Sequence, residues 1–184
     1  MKNFTASLLH TAWTEEEKLQ LDKIINFVEE YNGKDFLTAA CLYLYRILGI
    51  DHIHIGLTSK IGTYKQIHTV VRLEKGVVAP AFYYSLNKSP FNKLYEDEFM
   101  YFPFGLSAMY PDYEVLNNNK YESYIGMPLL NAEDEPLGII IMLHGRIIER
   151  GGFVEALLNA IVPKIEIELS VMKFNSDVLV EPLN

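Results

Sequence analysis

The stretch YESYIGMPLLNAEDEPLGIIIMLHGR, residues 121–146, contains two strand-like runs around a short acidic turn. In residues 123–129 the side chains alternate with a period of two, which is typical of a half-buried strand. Residues 137–143 are almost wholly apolar and rich in isoleucine, which predicts a central strand covered on both faces. Between the two runs, residues 131–136 supply turn formers. The stretch therefore predicts a hairpin in the middle of a β-sheet.

The segments around this hairpin predict helices near both ends of the chain and further strands between them. A capping box at Thr14 and Glu17 begins a helix over residues 15–31, and Gly49 ends a second helix over residues 34–48. A longer periodic helix follows the hairpin. Further strands are predicted at residues 52–58, 64–74, 81–86 and 99–102. This order predicts an α+β fold with a central antiparallel sheet of five to six strands.

The length and composition of the chain bound its organisation and its partners. With 184 residues it is predicted to form a single domain over residues 15–174, between an N-terminal tail (1–14) and a C-terminal tail or linker start (175–184). A net charge of -8 and a pI near 5.1 argue against nucleic acid or an anionic membrane as a partner. One cysteine, no signal-peptide pattern and no run of about 20 apolar residues predict a cytoplasmic protein.

The least regular part of the chain is an insert over residues 87–120 that is rich in aromatic side chains. Disordered segments are poor in aromatic residues, so the insert is predicted to be ordered and packed on the sheet. Several tyrosines in and beside it carry a hydroxyl that must find a hydrogen-bond partner once it is buried. This mixture of rings and hydroxyls indicates a pocket.

Two segments of the chain carry a recognisable pattern: YSLNKSPF, residues 84–91, and YFPFGLSAMYPDYEVLNNNKYESYIGMPLLNAEDEPLGIIIML, residues 101–143. In the second segment, the ESY-G-PL pattern, an acidic turn and PLG follow one another. These segments resemble the GAF domain, the small-molecule sensor module of bacterial signalling proteins, in which this pattern is the recurring strand pair. The resemblance covers residues 19–172. It is to the subgroup that precedes histidine kinases and diguanylate cyclases, in which a cysteine occupies the position of Phe91, so no thiol-dependent role is expected there.

The resemblance implies a mixed sheet with helices on both faces, and a pocket between the sheet and the insert with the hairpin as its floor. The leading hypothesis is a non-enzymatic sensor or regulatory domain that binds an unidentified small organic ligand. Its predicted ligand-binding residues are Tyr84, Phe91, Phe99, Tyr101, Tyr110, Tyr124, Met127 and His144. The alternative is a dimerisation module without a ligand that transmits conformational change to an output domain. The sequence names neither the ligand nor a cofactor.

Two sharper interpretations of single residues have weaker support. His52, His54 and His68 could share one face of a hairpin centred near Ile61 and bind zinc. No carboxylate flanks them at strand spacing, so polar strand positions are the preferred interpretation and no metal site is predicted. Cys41 lies on the apolar stripe of the second helix and is predicted to be an inert core residue.

Two activities of GAF domains are also disfavoured. Asn92 and Lys93, with Asp97 and Glu98, are similar to the motif of the cyclic-nucleotide-binding members, but their spacing differs. The members that reduce free methionine sulfoxide use several cysteines. A lone cysteine cannot complete that cycle, because its oxidised sulfur needs a second thiol to resolve it. The chain is therefore predicted not to be an enzyme.

The first and last helices carry more apolar surface than one face of a sheet needs. Leu19 and Phe27 lie off the main stripe of the first helix, and Ile167 and Val171 lie off that of the last. Such surface predicts a two-fold symmetric homodimer through these helices. The alternative is that the two helices only cover each other.

Overall fold

A computed structural model describes residues 13–31, 35–61, 64–87, 89–96 and 99–178. The helices are α1 (Glu15–Glu30), α2 (Phe36–Leu48), α3 (Leu106–Met109), α4 (Glu114–Asn119) and α5 (Gly151–Val178). The strands are β1 (His52–Ile61), β2 (Tyr64–Glu74), β3 (Val77–Val78), β4 (Tyr83–Ser85), β5 (Met100–Phe102), β6 (Ser123–Leu130) and β7 (Pro136–His144). In this described part of the chain the seven strands form one sheet in the order β3-β2-β1-β7-β6-β5, and β4 pairs with β2.

The predicted hairpin is formed by β6 and β7, and β7 lies between β1 and β6 in the sheet. Every residue of β7 after Pro136 is buried, which confirms the prediction of a strand covered on both faces. The turn is held by the Asn131 side chain, whose oxygen accepts the backbone N–H groups of Glu133 at 3.0 Å and Glu135 at 2.8 Å. This is the local hydrogen bonding that asparagine supplies in turns.

Helices α1, α2 and α5 cover one face of the sheet and enclose the larger apolar core. The predicted capping box begins α1: the Thr14 hydroxyl accepts from the Glu17 backbone N–H at 3.2 Å, and the Glu17 carboxylate accepts from the Thr14 N–H at 2.8 Å. At the other end of α1, Lys164 on α5 donates to the carbonyl oxygens of Val28 and Tyr31, both at 2.7 Å. Lys164 thereby satisfies carbonyls that a helix end leaves without a partner.

The insert covers the opposite face of the sheet, as predicted. Its helices α3 and α4 and the turns before them contribute Leu86, Phe91, Leu94, Leu106 and Leu116 to a second apolar core. This core rests on the other side of β7. The sheet is therefore buried on both faces, with helices on each.

Several features differ from the prediction. Every strand pairing in the described ranges is antiparallel, so the mixed sheet implied by the resemblance is wrong. The sheet has seven strands, because β3 adds a two-residue edge strand after the turn at Lys75 and Gly76. Helix α5 continues to Val178, into the segment predicted as a tail.

The predicted division into a tail, one domain and a second tail stays a prediction. Residues 1–12 and 179–184 lie outside the described residues. None of the described helices combines the length and the apolar character that crossing a membrane requires.

Candidate functional site

A cavity of about 300 Å³ lies between the sheet and the insert. It is lined by His52, His54, Arg72, Glu74, Phe82, Tyr84, Phe91, Tyr113, Val115, Asn119, Tyr121 and Leu143. This volume is at the lower end of the range of small-molecule sites. It corresponds to about ten water-sized groups, so the cavity suits a compact ligand.

Four side chains along one wall of the cavity form a continuous hydrogen-bond chain. His52 Nδ1 lies 2.7 Å from Glu74 Oε1, and His52 Nε2 lies 2.7 Å from His54 Nδ1. The chain ends at Tyr84, whose hydroxyl oxygen lies 2.7 Å from His54 Nε2. Both histidines are buried, and Tyr84 is half-buried. This hydrogen-bond chain of Glu74, His52, His54 and Tyr84 is the main polar feature of the cavity.

The pairing of β1 with β2 assembles this chain. His52 and His54 are two residues apart on β1 and therefore point to the same face. The register places Glu74 opposite His52 and Arg72 opposite His54. Strand β4 pairs with the other edge of β2, and from there Tyr84 reaches His54.

Glu74 is the anchor of the hydrogen-bond chain and is itself held by two further groups. Arg72 donates to Glu74 Oε1 from Nε at 3.1 Å and from Nη2 at 2.7 Å, and the Tyr121 hydroxyl donates to Oε2 at 3.0 Å. Burial raises the pKa of Glu74, but the hydrogen bond and charge of His52 and the hydrogen bonds of Arg72 and Tyr121 lower it to about 2. The Glu74 side chain is therefore an ionised carboxylate that only accepts hydrogen bonds.

His54 and Tyr84, at the cavity end of the hydrogen-bond chain, are held neutral. Burial holds the pKa of His54 well below its ordinary value, and the charges of His52 and Arg72 lower it further. Burial and the neighbouring tyrosines, Tyr113 first among them, raise the pKa of Tyr84 well above its ordinary value. The chain therefore presents a neutral imidazole and a protonated phenol at its cavity end.

Aromatic rings form the remaining walls. The guanidinium carbon of Arg72 lies 5.0 Å from the ring centroid of Phe82, and Phe82 stacks on Tyr84 with centroids 5.3 Å apart. Phe91 meets Tyr84 edge to face at 6.2 Å and Tyr113 in the same way at 6.1 Å. A flat apolar molecule in the cavity would therefore contact both ring faces and ring edges.

The structure brings part of the predicted site together. Tyr84 and Phe91 line the cavity. Tyr124 is fully buried one layer behind, with its ring centroid 5.0 Å from that of Phe91. Tyr110 packs against the same insert-side core. Phe91 therefore forms part of the cavity wall.

The other four predicted residues lie away from this cavity. Phe99 and Met127 belong to the core under the helices, on the opposite face of the sheet. Tyr101 packs on that core and donates its hydroxyl to the Ile148 carbonyl. His144 pairs with Asp51 at 2.8 Å. These placements correct the predicted pocket floor.

The correction on β6 has a simple cause. Successive side chains of a strand point to opposite faces, so Tyr124 faces the insert when Met127, three residues on, faces the helices. The prediction assigned both to one face.

The register of the β1–β2 hairpin also differs from the prediction. His68 pairs with Leu57 rather than with His54, and its ring stacks on Tyr83 with centroids 4.3 Å apart. Ile61 pairs with Tyr64, so the centre of the pairing lies after Ile61 rather than on it, and a bulge in β1 shifts the pairing by one further residue. Within the described residues, no group of three His, Cys, Asp or Glu side chains is placed to hold a metal ion.

Sequence reasoning missed the hydrogen-bond chain and most of the cavity. It placed His52 and His54 on one face but found no carboxylate beside them, whereas Glu74 lies 22 positions further along the chain and directly opposite His52. The available signal was the pairing of HIHI with VVRLE, which becomes visible once the turn position is known. Asp97 and Glu98 of the cyclic-nucleotide comparison lie outside the described residues.

Two wider surface depressions, of about 650 and 640 Å³, lie elsewhere on the protein. The first contains the ion pair of Arg150 with Glu17 at 2.5 Å, and the second contains His144 and Ile148. Both are more open than the cavity beneath the insert, and neither is lined by a continuous chain of buried polar groups. The smaller cavity is therefore the stronger candidate site.

Comparison with known proteins identifies the fold. No family model and no curated protein matches the chain. Among solved structures, the chromophore-binding domain of a bacteriophytochrome from R. palustris is similar with a TM-score of 0.63 at 12% identity, over 88% of this chain and 64% of that one. A GAF domain from an Acinetobacter phosphoenolpyruvate-protein phosphotransferase has a TM-score of 0.63 at 11% identity, over 90% of this chain and 99% of that one.

This chain has the GAF fold. The resemblance predicted from residues 84–143 is thus confirmed at the level of the fold. The GAF fold is shared by a free methionine-R-sulfoxide reductase from Neisseria meningitidis solved with its substrate, with a TM-score of 0.61 at 12% identity, over 92% of this chain and 99% of that one. The chain spans about two thirds of the length of the phytochrome domain. Identities this low establish the fold and leave the activity to be argued from the site.

Proposed function

We propose that this chain is a non-enzymatic, cytoplasmic sensor domain of a bacterial signal-transduction protein that binds a small organic ligand in the cavity beneath the insert. The observation that carries the proposal is the cavity of about 300 Å³, one wall of which is the hydrogen-bond chain ending at Tyr84. A few convergent polar groups in an otherwise aromatic cavity are typical of ligand sites. Proteins of the same fold include a chromophore-binding domain and an enzyme solved with its substrate, which supports binding as a use of this fold.

The placement of the one cysteine supports a binding role over redox catalysis. Cys41 lies in the core under the helices, on the opposite face of the sheet from the cavity. Burial raises the pKa of its thiol, which disfavours the reactive thiolate. A methionine sulfoxide reductase activity would need a reactive thiol at the ligand.

Ligand binding is expected to raise the thermal stability of the chain. A ligand at 100 times its Kd stabilises the native state by about 2.7 kcal/mol, which corresponds to roughly 5 to 10 °C in Tm for a chain of this length. Thermal-shift screening with a metabolite library of compact aromatic and apolar compounds measures this. A library in which no compound raises Tm would contradict the proposal.

A variant that fills the cavity provides the matched control. Val115 lines the cavity from α4 and is 45% exposed, so Val115→Trp can place an indole ring in the cavity at little cost to the core. We expect Val115→Trp to abolish the Tm shift of any hit. Val77→Trp, at a position on β3 that is 68% exposed and outside the cavity, is expected to keep it. A hit that binds both variants equally binds elsewhere.

We further propose that the domain forms a homodimer through α1 and α5. Ile167, Val171 and Phe174 are 63%, 55% and 69% exposed and recur along one stripe of α5 at the i, i+4, i+7 spacing. Leu19 on α1 is 51% exposed. Phe27 is different, because its ring stacks on Tyr43 of α2 at 4.6 Å within the same chain. The remaining stripe is suited to a second copy of the chain.

Charge placed on this stripe is expected to convert a dimer to a monomer. The double variant Ile167→Glu, Val171→Glu puts carboxylates in the proposed contact, where they would be desolvated. Sedimentation equilibrium at micromolar concentration should give the dimer mass for the wild type and the monomer mass for this variant. Asn159→Glu with Lys173→Glu, at exposed polar positions of the same helix, should stay dimeric. A wild-type monomer would contradict the proposal.

A further inference from the structure

The hydrogen-bond chain has one end that can only accept. Glu74 Oε1 accepts from His52 Nδ1, and Arg72 and Tyr121 occupy the other positions around the carboxylate. An ionised carboxylate has no hydrogen to donate. His52 must therefore donate from Nδ1 in every state in which Glu74 is ionised.

The ionised carboxylate of Glu74 sets the direction of the other two hydrogen bonds when the hydrogen-bond chain carries no extra proton. The Nε2 atom of neutral His52 then carries no hydrogen and accepts a hydrogen bond from the Nδ1–H group of His54. The Nε2 atom of His54 likewise carries no hydrogen and accepts a hydrogen bond from the Tyr84 hydroxyl. The only hydrogen of the Tyr84 hydroxyl is thereby donated to His54. Tyr84 can then only accept hydrogen bonds from a ligand in the cavity.

One proton added at His52 reverses both bonds. His52 Nε2 then donates to His54 Nδ1, and neutral His54 carries its hydrogen on Nε2 and donates it to the Tyr84 oxygen. The hydroxyl hydrogen of Tyr84 is released toward the cavity. The three 2.7 Å distances serve both arrangements, so the heavy atoms can keep their positions.

The surroundings assign the added proton to His52. The titratable and charged groups that line the cavity with the two histidines are Glu74 and Arg72 on β2, Tyr84 on β4, and Tyr113 and Tyr121 beside α4. Asp51, which precedes His52, is paired with His144 instead. His52 contacts the carboxylate directly, whereas burial, together with the charges of His52 and Arg72, lowers the pKa of His54. Arg72 and Glu74 neutralise each other, so the added proton leaves the cavity wall positive.

We propose that ligand recognition in this cavity is coupled to a proton: the site takes up a compact aromatic or apolar molecule bearing a carbonyl or carboxylate acceptor together with one proton. In that state Tyr84 donates to the ligand, and without the proton it accepts instead. This inference rests on the proposed function, because it specifies the ligand of the same cavity. By linkage, a ligand that binds the protonated state more tightly also raises the affinity for the proton.

Nitrogen-15 NMR of the imidazole side chains tests the reversal on the free wild-type chain. Between about pH 8 and pH 5, where histidines ordinarily titrate, His54 is expected to change from the Nδ1–H to the Nε2–H tautomer while staying neutral. The change should appear together with the second imidazole hydrogen of His52. His68, outside the cavity lining, serves as the internal reference and should show no tautomer change linked to that of His54. A single His54 tautomer across this range, or a His54 that becomes doubly protonated, would overturn the reversal.

Two non-titrating probes of similar size then test how the cavity reads a ligand. Acetophenone has only an acceptor, and indole has only a donor. Acetophenone is expected to bind about tenfold more tightly below the midpoint of the His54 tautomer change than above it, because it gains a hydrogen bond from Tyr84. Indole is expected to bind about tenfold less tightly below that midpoint, because it loses the hydrogen bond that it donates to Tyr84. Tyr84→Phe should remove the pH dependence of binding for both probes, because the phenylalanine ring has no hydroxyl that can donate or accept a hydrogen bond. An equal pH dependence of the two probes would overturn the coupling. A tautomer reversal without binding of either probe would contradict the proposed binding function, although the reversal itself would be confirmed.

Discussion

Gly138→Ala is expected to lower the free energy of unfolding by about 3 kcal/mol, the upper part of the range for an added core methyl group. Gly138 lies on β7 beside β1, where a Cβ atom would stand 2.3 Å from the backbone carbonyl oxygen of Gly56. The β1 bulge falls between Ile55 and Gly56. A backbone oxygen in a central strand cannot rotate away as a side chain can, so the two strands would have to separate. Urea denaturation measures the loss.

Gly49→Ala is the matched control for that prediction. Gly49 ends α2 with a φ of 63°, and a Cβ atom there would meet nothing within 4 Å. Its cost is the left-handed backbone strain alone, about 1 kcal/mol. If Gly138→Ala lost no more stability than Gly49→Ala, the close approach of β1 and β7 would be contradicted.

Glu74→Gln is expected to lower the free energy of unfolding at pH 7 by about 2 kcal/mol. Removing one partner of a fully buried ion pair costs about 3 to 5 kcal/mol, and the value is reduced here because the Glu74 side chain is 32% exposed. The variant leaves Arg72 without its carboxylate and weakens the hydrogen bonds from His52 and Tyr121. Glu133→Gln, at an exposed turn position, is expected to change stability by less than about 0.5 kcal/mol.

The pH dependence of this difference identifies its origin. The folded-state pKa of Glu74 is about 2, against an ordinary value of 4.5, so its ionisation contributes stability that is complete above about pH 4.5 and is lost as the pH falls toward 2. The gap in the free energy of unfolding between the wild type and Glu74→Gln should therefore shrink as the pH falls from about 4.5 toward 2. A gap that grew over this range would contradict the ionised anchor.

His54 adds a second acid-sensitive contribution to the wild type. Its folded-state pKa lies well below the ordinary value of 6.5. Below pH 6.5 the imidazole is therefore protonated in the unfolded chain but stays neutral in the folded chain. Stability is therefore expected to fall as the pH drops below 6.5, at a slope of up to about 1.4 kcal/mol per pH unit. This slope begins at a higher pH than that of Glu74, so the two contributions separate in a titration of stability.

The sequence by itself determined the features that depend on neighbours along the chain. The period-two and apolar runs of residues 123–143 predicted the central hairpin, and Thr14 with Glu17 predicted the start of α1. Gly49 predicted the end of α2, where the chain turns with positive φ. Each of these signals comes from side chains a few positions apart, whose local preferences agree with the fold. The GAF resemblance added that the insert would cover the sheet, which the second core confirms.

Only the tertiary structure decided which residues meet at the cavity. Met127 and Tyr124 belong to the same predicted strand, but strand alternation sends them to opposite cores. The position of the β1–β2 turn and one bulge bring Glu74 rather than His68 to the buried histidines. A one-residue slip in register exchanges every side chain between the two faces of a sheet, and the energies that choose the register come from packing across strands far apart in sequence. The hydrogen-bond chain that characterises the site is therefore a product of register, which local sequence pattern does not encode.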